Sequence, residues 1–181
     1  MNNVIKLKPS NKFIFKYTII SIPLIIALAF INHFAYDWLF KIEILKIIFP
    51  SNESVFEHLK LCIYPTIISY IILGYIISKK TSINISKPIV SLTFSIITNI
   101  YIVLSLYYIA SFGLDIHSLL FDISTIIIGT ILGQLIAYHL YAFLPDKSKI
   151  LTISYTILLI IIFFTTYFSF NPLNLPIFIS N

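Results

Sequence analysis

This sequence predicts an all-α bundle of about five membrane-crossing helices, and three observations predict it. Of its 181 residues 59% are hydrophobic and 10% charged, at a mean hydropathy of +0.98. A soluble domain carries about 25% charged residues, so a water-soluble globule is excluded. The apolar residues gather into five runs, each close to the length of about 20 residues that crosses a hydrocarbon core of about 30 Å. The lysines, finally, fall mostly in alternate connections between those runs. One transmembrane domain over 1–181 is expected.

The expected spans are 13–34, 55–78, 89–112, 116–144 and 150–170. The first holds Pro23 and the second Pro65 and Gly74. The third follows Lys87-Pro88 and stops before Gly113, and the fourth is closed by Pro145-Asp146. The N-terminal lysines followed by Ala27-Leu28-Ala29 resemble a secretory signal peptide, but the run from Phe13 to Phe34 is longer than a signal's apolar core and suits an uncleaved helix. Residues 36–52 place Trp38, Phe40, Lys41, Glu43 and Lys46 among isoleucines, which predicts an amphipathic piece in the membrane interface. The tail 171–181 has two prolines and is too short to cross again, yet Leu175-Pro176-Ile177-Phe178 is apolar enough to fold back on the bundle.

Charge sets the orientation. All twelve basic residues are lysines, so bidentate guanidinium readout of nucleic acid is not available and no nucleic-acid partner is expected. Lys6, Lys8, Lys12, Lys16, Lys79, Lys80, Lys87, Lys147 and Lys149 lie on one side of the expected bilayer, against Lys41, Lys46 and Lys60 on the other. Loop lysines are retained in the cytoplasm, which predicts a plasma-membrane protein with its N-terminus inside and its C-terminus outside. The lone Cys62 sits in an apolar segment and reads as a small buried hydrophobe.

That topology gathers the unusual polar residues at the outer end. Asn32, His33, Tyr36, Asp37 and Trp38 close the first span, Asn52, Glu53, Ser54, Glu57 and His58 open the second, and Asp115, His117 and Asp122 open the fourth. Ionisable groups near hydrocarbon cost about 2.5 to 3.5 kcal/mol on insertion scales and therefore face a partner or a wet cavity. Imidazole with carboxylate is the ligand set of zinc and other first-row divalent metals. Candidate metal ligands are thus His33, His58, His117 and Asp122, with Glu57 and Glu53 as candidate catalytic bases and Asn52, Ser54, Lys60 and Asp37 as candidate binding residues.

A plainer account competes residue by residue. Ser54-Val55-Phe56-Glu57 matches a capping box, which explains Ser54 and Glu57 without any ligand. Glu53 near a helix N-terminus suits the helix dipole, and each histidine can be an interfacial residue with its polar tip in water. Gln134 and His139 fit hydrogen bonds between helices, and Gly129 with Gly133 fits close helix packing within the fold or in a dimer.

The segment from Asn32 to Trp38, followed by Pro50-Ser51-Asn52-Glu53-Ser54-Val55-Phe56-Glu57-His58-Leu59-Lys60-Leu61, resembles a family of small multi-pass membrane proteins of clostridia and related bacteria, a domain of unknown function. The hallmark N-E-S-x-x-E-H-x-K is matched at Asn52, Glu53, Ser54, Glu57, His58 and Lys60, and the ending from Phe170 through Phe178 is similar to the family's tail. The resemblance implies a multi-pass membrane protein and no particular activity. Three roles stay open: a metal-dependent hydrolase of lipid or lipid-linked substrates at the outer leaflet, a membrane component binding a cation or lipid-like ligand, and an accessory protein whose motif only locks helices.

Overall fold

In hydrocarbon every backbone N–H and C=O must find its partner inside the chain, so an apolar run that crosses a bilayer folds as a helix. The computed structural model describes residues 10–81, 86–116, 118–145 and 148–179. Within them five helices are long and apolar enough to cross: α1 (Asn11–Trp38), α2 (Val55–Ser78), α3 (Ser86–Tyr108), α4 (Leu119–Phe143) and α5 (Ser148–Phe170). The chain is a multi-pass membrane protein with the helical architecture its composition predicts. His117, an expected metal ligand, lies outside the described residues, as do Lys6, Lys8, Asp146 and Lys147.

Outward-facing apolar side chains are the rule here. Phe30, Ile71, Tyr101 and Phe163 are each more than 60% exposed, which suits contact with lipid tails. Only 11% of the most apolar stretch of α5 is buried, so that helix faces lipid over most of its surface. The inward faces mix apolar side chains such as Ile25, Ile63 and Ile96 with small and polar ones. In α1 the buried positions Ile14, Thr18, Ser21, Ile25, Ala29 and Asn32 recur every three or four residues and form one stripe against α2 and α4.

Helix α3 is central, touching α2, α4 and α5. It meets α4 most closely because Gly133 lies against the Ser95 backbone and Gly129 against Asn99. The small-residue pair therefore serves packing within one chain. Polar side chains tie the same helices together: Ser21 donates to Gln134 Oε1 at 2.9 Å, Gln134 Nε2 donates to Ser95 at 2.7 Å, and Asn99 Nδ2 donates to Thr130 at 3.1 Å. Thr93 also donates to the Ser154 carbonyl on α5 at 3.2 Å.

Two element boundaries differ from the sequence expectation. The interfacial piece is shorter than 36–52, because α1 continues to Trp38 and then closes on itself. There the Lys41 N–H bonds the Tyr36 carbonyl at 3.0 Å while Phe40 and Lys41 take left-handed φ values of 59° and 55°. What remains is a single 3-10 helix, Glu43–Ile47. At the other boundary, α3 runs on as a π-helical turn, Ile109–Gly113, and Asp115 turns the chain at φ 54°. Helix α4 then begins at Leu119 after an extended Ser118. Asp122 consequently stands in the first turn of α4, nearer the membrane surface than a start at Ile116 would put it.

Candidate functional site

Helix α2 begins where Ser54 leaves the extended region at φ −72° and ψ 150°, its hydroxyl accepting the Glu57 N–H at 3.3 Å. This is half of the expected capping box. The return bond from Glu57 is not made, because the Ser54 N–H is already taken by Asn52 Oδ1 at 2.9 Å. Asn52 and Ser54 thus satisfy the N–H groups of Ser54 and Glu57 at the start of the helix. Replacing Ser54, which is 1% exposed, with alanine should cost about 1 kcal/mol. The expected reading is a lower melting temperature in detergent with an unchanged helical circular-dichroism signal at room temperature.

With the cap satisfied elsewhere, the Glu57 carboxylate turns into the bundle. Its Oε2 accepts from the Ser51 N–H at 2.6 Å and the Ser51 hydroxyl at 2.8 Å, and its Oε1 accepts from Ser169 of α5 at 2.9 Å. One helical turn on, the Lys60 ammonium reaches both oxygens, at 2.9 Å and 2.8 Å, and also donates to the carbonyls of Lys46 and Phe49. Lys60 is 0% exposed and Glu57 3%. A buried ion pair is tolerable only when its remaining donors and lone pairs are met, and here they are. The pair locks the loop before α2, the start of α2 and the end of α5 into one unit. Ser51, Ser169 and the buried state of Lys60 are not among the sequence expectations, although the i,i+3 spacing of Glu57 and Lys60 is a signal that points to the pair.

About 100° around α2 from Glu57 lies a second polar face. His33 of α1, Glu53 and His58 bring one ligand atom each to within 4.8 Å of one another. His58 Nε2 is 3.3 Å from Glu53 Oε2, and the His33 and His58 ring centroids are 5.2 Å apart. Nδ1 of His58 lies 3.0 Å from the Ser54 carbonyl oxygen. A carbonyl can only accept, so Nδ1 carries the hydrogen and Nε2 of a neutral ring presents its lone pair to the Glu53 carboxylate. Two acceptors at that distance need a proton or a cation between them. His33 Nδ1 is buried and has no hydrogen-bond partner among the described residues.

The structure therefore divides the candidate residues. His33, Glu53 and His58 converge, and Asp122, expected as a ligand, is not part of that group. Glu57, Lys60, Asn52 and Ser54 belong to the lock and the cap, and both oxygens of Glu57 are engaged there. Asp37, a candidate binding residue, makes an exposed ion pair with Lys41 at 3.1 Å. Farther along α4, Gln134 bridges α1 and α3, whereas the His139 ring lies tilted beside Phe143 with centroids 4.9 Å apart.

Five apolar helices carrying an imidazole and carboxylate cluster at one end define an integral membrane protein with a polar site at its rim. The chain belongs to the family described as "Family of unknown function (DUF6512)", whose model matches residues 6–181. Neither the curated proteins nor the solved structures give a match to it.

Proposed function

We propose that this membrane protein binds a divalent transition metal such as zinc through His33, Glu53 and His58, with water completing the coordination. The observation that carries the reading is the facing pair of acceptors, His58 Nε2 and Glu53 Oε2 at 3.3 Å, with the His58 tautomer set by the Ser54 carbonyl. Ligand atoms around a tetrahedral zinc, at about 2.0 to 2.2 Å from the ion, stand about 3.3 to 3.6 Å apart, and the pair is already at that spacing. The Ser54 carbonyl acts as the outer partner that orients a metal-bound imidazole. Lysine balance supports an N-terminus in the cytoplasm and a C-terminus outside, which sets the metal at the outer face of the plasma membrane. A metal-dependent hydrolase would need a base other than Glu57, whose oxygens are engaged, and Glu53 stands in a ligand position; binding is the reading the geometry favours.

The test is metal stoichiometry on detergent-purified protein stripped with chelator and reloaded with zinc, or with cobalt for its visible spectrum. Wild type should retain about one ion per chain after gel filtration, the number a three-ligand site holds. His58→Ala and Glu53→Gln should lose it while keeping the wild-type melting curve of the metal-free form. Folded wild-type protein that holds neither metal, or variants that bind as wild type does, would sink the proposal.

A further inference from the structure

The opposite end of the bundle carries a second feature. Helices α1, α2, α3 and α4 line a half-open cavity of about 80 Å³, whose walls include Tyr17, Tyr70, Leu73, Gly74, Ile77 and Tyr141. Thr18, Ser91 and Gln134 also line it, but their polar groups are spent on the Ile14 carbonyl, the Ala137 carbonyl, and Ser21 with Ser95, so the surface the walls offer is mainly apolar. A space of that size holds ordered water only where several polar partners are on offer, and a hydrocarbon chain suits these walls better. The lining on α2 from Tyr70 to Ile77 spans about 10 Å of helical rise, roughly a third of the hydrocarbon thickness.

Two ammonium groups stand against the residues that line this cavity. Lys80 Nζ is 3.4 Å from the Tyr17 hydroxyl, and Lys87 Nζ is 3.2 Å from the Tyr141 carbonyl and 6.0 Å from that ring's centroid. The described carboxylates, Asp37, Glu43, Glu53, Glu57, Asp115 and Asp122, all belong to the other end of the bundle. Protein acids among the described residues therefore do not neutralise Lys80 and Lys87.

We infer that this cavity seats an anionic phospholipid of the lysine-side leaflet, with an acyl chain between α1, α2, α3 and α4 and its phosphate between Lys80 and Lys87. The charge and the apolar walls together select the occupant: a zwitterionic lipid brings its phosphate with a cation attached and so no net charge to offset the two ammonium groups, and a soluble anion leaves the cavity unfilled. The site is independent of the metal cluster.

The full chain in detergent is titrated with phosphatidylglycerol and with phosphatidylcholine, and binding is read by native mass spectrometry. Phosphatidylglycerol should bind more tightly. In Lys80→Gln/Lys87→Gln that preference should fall by about 25-fold, about fivefold for each juxtamembrane lysine. Lys79→Gln removes the same charge from an ammonium that sits 4.3 Å over the Tyr75 ring, away from the cavity, and should bind as wild type does. Gly74→Leu fills the cavity from a position where an added Cβ meets nothing within 4 Å, and should weaken both lipids without lowering the melting temperature. Equal loss in Lys79→Gln, no preference for the anionic lipid in wild type, or wild-type lipid binding by folded Gly74→Leu would each overturn the assignment.

Discussion

Lys60→Met should remove most folded protein from the membrane, because it strips the Glu57 carboxylate of its cation and leaves it 3% exposed. Breaking one side of a buried ion pair costs about 3 to 5 kcal/mol, a large fraction of the stability of a small domain. Ser51 and Ser169 would still donate to Glu57, but hydrogen bonds from neutral groups do not replace the lost charge. Glu57→Gln/Lys60→Met should recover most of the loss, since it removes both charges and keeps similar volumes. Denaturant titration of the three proteins in mixed micelles checks this. A double variant as unstable as Lys60→Met would show that the carbonyl contacts of Lys60, and not its charge, hold the loop.

Gly133→Val is expected to cost at least as much as a typical overpacked core site, about 1 to 3 kcal/mol, through a different cause. A Cβ at Gly133 would stand 2.7 Å from the Ser95 backbone oxygen and 3.2 Å from its hydroxyl, and the backbone of α3 cannot step aside without disturbing α2 and α5 as well. Gly129→Ala should be milder, because its first obstacle is the Asn99 carboxamide, a side chain that can rotate at the expense of its bond to Thr130. Gly74→Ala supplies the contrast: its Cβ enters open space, and exchanging glycine for alanine inside a helix is worth up to about 1 kcal/mol in favour of the variant. Thermal melts should rank Gly133→Val lowest and Gly74→Ala at or above wild type; a melt for Gly133→Val equal to wild type would count against the close α3–α4 contact.

The five helices were legible because hydrocarbon leaves a long apolar run no other conformation, and 55–78 is matched by α2 from Val55 to Ser78. The start of α4 was not legible. Ile116 is as apolar as Leu119 and Leu120, and the left-handed turn at Asp115 and the π-helical end of α3 move the helix start to Leu119. Lys60 counts as a loop lysine in a charge balance, yet it is buried and bound to Glu57. Spacing alone could relate those two residues, but the donors Ser51 and Ser169 come from a loop and a distant helix whose positions no local pattern carries. The meeting of His33 with His58 and Glu53 was expected from depth; helix phase, about 100° between neighbours, turns Glu57 away from His58, while Glu53 reaches it from the loop before the Ser54 cap.

The backbone N–H of Ser51 is bonded to Glu57, and Asn52 holds the N–H of Ser54, so Glu53 is anchored on both sides by contacts in which its own carboxylate takes no part. Its reach toward His58 is inherited from the buried pair behind it. A lesion in that hidden pair would loosen the outward-facing ligand without touching it, and affinity at the rim should then decay even in molecules that still insert and fold.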